Sequence, residues 1–274
     1  QANPRLLLPL LLASLAFPEI GAPGREAEVL SACSDRMSSS AHDAPAQTYA
    51  IGDDGLCFTG PIDAESSAAF VQALNKTDPD APLVVVVRSG GGEVNAGMAM
   101  GEALIPRVST VITHQICASS CANYLFTAAD RRVIDDQAVL MFHGGVFPQE
   151  RSAVRAGLEE LVPPDQLEGA VESVLADIDA QIARQDAFLL KAGVDVDFFR
   201  WMGRIADLPP DQMREICAPP GAGMIVYSDE LLAAHKVMVH ENRGPTTSGD
   251  VEASLTTLGT PGFACFMDRF VSLP

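Results

Sequence analysis

The sequence predicts an α/β fold, and three observations carry that prediction. Leu83-Val84-Val85-Val86-Val87 is an unbroken apolar run, mostly β-branched. An inner strand covered on both faces needs such a run, whereas a half-exposed strand would alternate. Strand-like segments alternate with helix-like ones between residues 56 and 142, the order produced by the right-handed crossovers of a parallel sheet. Between Asp165 and Leu190, apolar Leu167, Val171, Val174, Leu175, Ile178 and Ile182 recur at helical spacing with acids opposite, which predicts one long amphipathic helix facing a core or a second subunit.

Composition narrows the function classes. The 274 residues are 47% hydrophobic and 20% charged, as in a globular chain rather than a disordered one. Acidic residues outnumber basic ones 36 to 18, a formal charge of -18. Such a field repels phosphate backbones and anionic lipid surfaces, so neither nucleic acid nor a membrane surface is an expected partner.

From the N-terminus, Arg5 precedes an apolar run from Leu6 to Ala16 that closes on Ser14-Leu15-Ala16. A basic residue, a short apolar stretch and small residues at the cleavage positions read as a signal peptide over residues 1–16. The run is shorter than the roughly 20 residues of a membrane-crossing helix, so no stable span is expected after cleavage. Export predicts a periplasmic or secreted protein in an oxidising compartment, where Cys33, Cys57, Cys117, Cys121, Cys217 and Cys265 can form three bridges of open connectivity. Residues 17–47, rich in Ala, Ser, Pro and Gly, read as a linker. A single domain is expected over 48–243 and a polar tail over 244–274.

Within the domain, Leu56–Gly60 reads as a strand and turn. Asp63 caps a helix over Ala64–Leu74 with Phe70, Val71 and Leu74 on one face. The inner strand Leu83–Val87 is followed by a glycine cluster and a helix over Val94–Leu104. Val108–Thr113 is a second strand, Cys121–Ala129 a helix and Val139–Phe142 a third strand. After the long helix, Met224–Tyr227 reads as a strand, Ser228 caps a helix over Asp229–His235, and Val237-Met238-Val239 reads as a last strand.

Three segments fall at the C-terminal ends of predicted strands, where open α/β sheets bind ligands. Arg88-Ser89-Gly90-Gly91-Gly92-Glu93 frees main-chain N–H groups to face a ligand. It lacks GxGxxG, because Asn95 stands at the last glycine position, and it lacks the lysine of a phosphate loop. An oxyanion site is the better reading. Cys117-Ala118-Ser119-Ser120-Cys121-Ala122 opens a helix, where a serine is either a cap or a nucleophile whose following N–H stabilises an oxyanion. Met141-Phe142-His143-Gly144-Gly145 ends a strand, and histidine is the natural base for a serine proton near neutral pH. His114, Cys117 and Cys121 have the pattern H-x₂-C-x₃-C, but a bridge or buried thiols explain the cysteines more simply than a metal. No metal or cofactor is expected.

Together these segments resemble the Clp protease proteolytic subunit. Ser89 to Gly97 is similar to its SPGGxVxAG stretch, Ala118-Ser119-Ser120-Cys121-Ala122 to its AASMG nucleophile turn, and Leu140-Met141-Phe142-His143 to its VMIH segment. Order and spacing agree. The resemblance implies a ClpP/crotonase-like spiral of ββα units, serine peptidase chemistry on a peptide or protein substrate, and assembly into a homo-oligomer. It implies Ser120 as nucleophile, with Ser119 the competing serine; counting back from Ala128-Ala129 favours Ser120. It also implies His143 as base and the N–H groups of Gly92 and Cys121 as the oxyanion hole. Met224 stands where the family has its aspartate, so the orienting acid is expected from the insertion between Trp201 and Gly223, at Asp207 or Asp211. Two functions follow: a serine endopeptidase acting outside the cytoplasm, or, because that aspartate is missing, a catalytically inactive binding or assembly module of the same fold.

Overall fold

The computed structural model describes residues 23–37, 45–206, 208–217 and 222–271. Its frame is the inner strand read from the valine run. Strand β3 (Leu83–Ser89) is buried along its whole length, and pairs in parallel with β2 (Gly55–Thr59) on one side and β4 (Ser109–Ala118) on the other. Among the described residues the main sheet has seven strands. Its order is β1 (Gln47–Ala50), β2, β3, β4, β5 (Arg131–Ile134), β8 (Glu241–Asn242), with β6 (Val139–Met141) also paired to β4. Every pairing is parallel except β1 with β2.

One distortion of β4 prepares the site. Thr110–Thr113 pair with β5, whereas Ile116–Ala118 pair with β6. Between them Gln115 takes φ 61°, and the β3–β4 register shifts over the same stretch. This bulge bends the strand and lets its last three residues take a new neighbour. The ends of β3, β4 and β6 thereby converge.

Helices cover both faces. The predicted capping box is present on α2 (Ala64–Leu74): Ser66 N–H donates to Asp63 Oδ1, and Asp63 N–H donates to Ser66 Oγ. Helix α3 (Val94–Leu104) packs beside it, and Phe58, Phe70, Val85, Met98 and Tyr124 join one core. Helix α1 (Pro23–Met37) covers the other face, where Val29, Cys33 and Met37 meet Cys57, Val84, Val86 and Ile112. The sequence predicts a linker there. Its Ala/Ser-rich composition hides an apolar stripe at 29, 33 and 37, just enough to seat one helix. Residues 1–22, and with them the predicted signal peptide, lie outside the described residues.

Beyond β6, α4 (Arg151–Leu158) folds on the long helix α5 (Leu167–Lys191), followed by α6 (Asp197–Ala206) and α7 (Pro210–Ile216). Strand β7 (Met224–Tyr227) and helix α8 (Asp229–Ala234) stand where the sequence predicts them. Two expectations fail. Val237–Val239 is not a strand; the pairing residues are Glu241 and Asn242, on β5. The predicted tail contains α9 (Ser248–Thr257) and β9 (Ala264–Met267), and β9 pairs with β7 while Val251 and Leu255 are buried against β6. A short helix burying one edge leaves a mostly polar sequence, so its periodicity is weak.

Candidate active site

Chain geometry at the end of β4 decides which serine is presented. Ala118 ends the strand, Ser119 turns with φ 54°, and a π-helix runs over Cys121–Phe126. A non-glycine residue in the left-handed region is strained, and strand-to-helix elbows that expose a nucleophile store strain of this kind. The Ser119 N–H donates to Met141 O over 3.1 Å, tying the elbow to β6. Its hydroxyl shares a hydrogen bond with His143 Nε2 over 2.6 Å.

Ser120 faces inward. It is 2% exposed, and its hydroxyl donates to Gly92 O over 2.8 Å, binding the glycine loop to the elbow. The serine beside His143 is therefore Ser119, not the Ser120 favoured by counting back from Ala128-Ala129. A π-helix carries one more residue per turn than an α-helix, and that residue shifts the count by one. The N–H that follows the serine beside the histidine is therefore that of Ser120 rather than Cys121. Cys121 is wholly buried and bonded to Cys117.

Glycine is required where the two loops touch. A Cβ on Gly91 would stand 2.6 Å from Ser119 Cβ and 2.9 Å from Ser120 N. One on Gly92, at φ 151°, would stand 2.0 Å from Ile62 O. Ile62 N–H donates to Gly91 O, and Ile62 O accepts from Glu93 N–H. That pattern leaves the Gly92 N–H unused, and no described residue accepts it or the Ser120 N–H. Two main-chain donors beside a hydroxyl–imidazole pair are the parts of an oxyanion hole.

His143 follows β6 and is exposed on one side. Partial burial pulls its pKa below the ordinary histidine value, opposed by a hydrogen bond with its own backbone carbonyl. The ring is therefore neutral at pH 7 and able to take a proton. Among the described residues no carboxylate bonds to it. Asp211 lies exposed in the first turn of α7 and makes no hydrogen bond or ion pair with the ring, and Asp207 lies outside the described residues. Asp135 is occupied elsewhere, accepting from His114 Nδ1 at 2.9 Å and paired to Arg243.

All six cysteines are bridged: Cys33–Cys57, Cys117–Cys121 and Cys217–Cys265. Cys117 and Cys121 bracket the elbow as a disulfide, so they offer no thiolates to a metal beside His114. No cluster of three metal-binding side chains occurs among the described residues. No described helix is long and apolar enough to cross a membrane.

Residues 44–161 match the Clp protease family model. Over that stretch the chain is similar to the Clp protease family. The match runs from just before β1 to just past α4, and contains Gly92, Ser119, Ser120 and His143. A mixed α/β architecture with a central sheet agrees with it, and at the level of the family it supports a peptidase-type function, peptide substrates and oligomers. The curated proteins contain no match to this chain. The long helix α5 and everything after it lie outside the matched stretch.

Proposed function

We propose that this protein is a serine peptidase-type hydrolase built on a Ser119–His143 dyad and acting outside the cytoplasm. The 2.6 Å contact between the Ser119 hydroxyl and His143 Nε2 carries the reading. Ser119 Oγ attacks the substrate carbonyl as its proton passes to Nε2. The oxyanion that forms is held by the N–H groups of Gly92 and Ser120. His143 then protonates the departing amine, and a water activated by the same ring releases the acyl group. Nε2 must arrive unprotonated, so the ring needs its proton on Nδ1. Three disulfides in a chain with no free cysteine among the described residues support an oxidising compartment.

A second reading rests on one observation: no described carboxylate orients the ring. Losing that acid costs about 10⁴-fold in the triad model, and a fold retained only for binding or assembly would tolerate the loss. A fluorophosphonate probe separates the two. Covalent labelling that disappears in Ser119→Ala and persists in Ser120→Ala supports the hydrolase. An unlabelled wild-type chain supports the inactive module, and labelling that survives Ser119→Ala removes Ser119 from the mechanism.

A further inference from the structure

The segment that carries His143 is held by two buried amide side chains, both outside the three sequence motifs. Asn123 is the third residue of the π-helix. Its N–H donates to Ser119 O over 2.8 Å, and its Nδ2 donates to Gly144 O, next to the histidine. Gln185 reaches the same segment from α5. Its Oε1 accepts from Val146 N–H at 2.8 Å and from Tyr124 Oη at 3.0 Å, while its Nε2 donates to Val146 O at 3.3 Å. This amide pairs with Val146 as a neighbouring strand would.

Packing leaves the segment little room. A Cβ on Gly145 would stand 1.9 Å from Gln185 Oε1, and one on Gly144 would stand 2.5 Å from the Phe147 ring. Both amides are 2% exposed. Neither residue type is what stability alone selects. Gln185 lies on the apolar stripe of α5, beside buried Phe188 and Leu189. Asn123 Oδ1 is buried without a partner, a costly state that an apolar residue would avoid. π-helical turns also recur at functional sites.

We propose that Asn123 and Gln185 are positioning residues that hold the His143 ring on Ser119, doing by main-chain restraint what an orienting carboxylate does in a triad. The inference rests on the hydrolase reading for its consequence in rate, but not for its consequence in ring position. Asn123 fixes His143 relative to the elbow, since it bonds both Ser119 O and Gly144 O. Gln185 fixes the same segment relative to α5. With both bonds in place the imidazole loses little orientation when it takes the serine proton.

The test uses the full chain with its disulfides intact and three readouts: fluorophosphonate labelling rate, titration of the His143 ring by NMR, and Tm. Gln185→Leu keeps the bulk and removes both bonds to Val146. Measured well below its Tm, labelling is expected to fall about 10²-fold, the scale of a misplacement near 1 Å. The His143 midpoint should rise toward the ordinary histidine value as the ring swings into water. Gln185→Glu keeps both acceptor bonds and should restore most of the rate. Asn123→Ser, which shortens the donor, should behave like the leucine variant. A purely structural role would lower Tm and leave rate and His143 midpoint as in wild type, and that result overturns the proposal. If Gln185→Leu does not fold, Asn123→Ser and Gln185→Glu are judged by the same two readouts. If wild-type Ser119 is not labelled, the hydrolase reading fails. The His143 titration still decides the clamp, because an unchanged midpoint in the variants refutes it.

Discussion

In the proposed dyad His143 can act as a base only where its ring is neutral, and burial already pulls its pKa below the usual histidine value. The sign of the pH dependence follows. Below that lowered midpoint the imidazolium cannot accept the Ser119 proton, and above it the rate is flat. Fluorophosphonate labelling measured against pH should rise to a plateau with its midpoint below about 6.5. A midpoint above that value would mean that a carboxylate faces the ring and the site is a full triad. Most of this residue-scale picture was legible in the sequence: Gly92, His143 and the Ser119-Ser120 pair were located by their places at strand ends. The choice between the serines was not, because a π-turn adds a residue without leaving any mark in composition. Asn123 and Gln185 were also missed. Gln185 did leave a signal, as a polar residue at an apolar-stripe position of a predicted helix.

Among elements, α1 shows how little sequence signal a required helix can carry. On the sheet's second face Val29, Cys33 and Met37 pack on Cys57, Val84, Val86 and Ile112, with Arg131 Nε donating to Glu26 Oε1 at 2.8 Å and Cys33 bonded to Cys57 of β2. The bridge closes a sequence separation of 24 residues. Replacing both cysteines by alanine should cost about 2–4 kcal/mol, read as a lower urea midpoint. Unchanged stability would mean that apolar packing alone fixes α1. The valine run implied a cover on each face from the outset. It could not indicate which segment supplied the second, since the requirement is for buried area and not for any particular partner.

At the scale of the whole molecule, His235 ties distant parts together. Its ring stacks on Phe198 with centroids 4.8 Å apart, lies 4.9 Å from Trp201, and meets Phe270 beyond β9 at 5.8 Å. Asp195 Oδ2 stands 3.5 Å from Nδ1, within ion-pair range but without hydrogen-bond geometry. Burial holds the His235 pKa below its unfolded value, with Asp195 opposing, and His143 and His240 are shifted the same way. An unfolded chain therefore takes up protons near pH 6.5 that the folded chain refuses. Stability should hold steady above about pH 7 and fall as the pH drops through 6.5 toward the folded values. His235→Phe, which keeps the aromatic stack, should make that fall shallower in urea titrations. An equally steep fall would place its cause in the other groups.

The sequence by itself determined the parallel α/β core, the capped helix α2, the long helix α5 and the three chemical segments. Each of these is a local pattern: an unbroken apolar run, a cap, a periodicity, or a glycine cluster after a strand. Tertiary structure alone decided that Ser119 meets His143 while Ser120 turns inward, that α1, α9 and β9 belong to the packed fold, and that Asn123 and Gln185 hold the histidine segment. Those facts depend on contacts between residues far apart in the chain, or on a one-residue change in helical pitch. Neither is encoded in the identity of neighbouring residues.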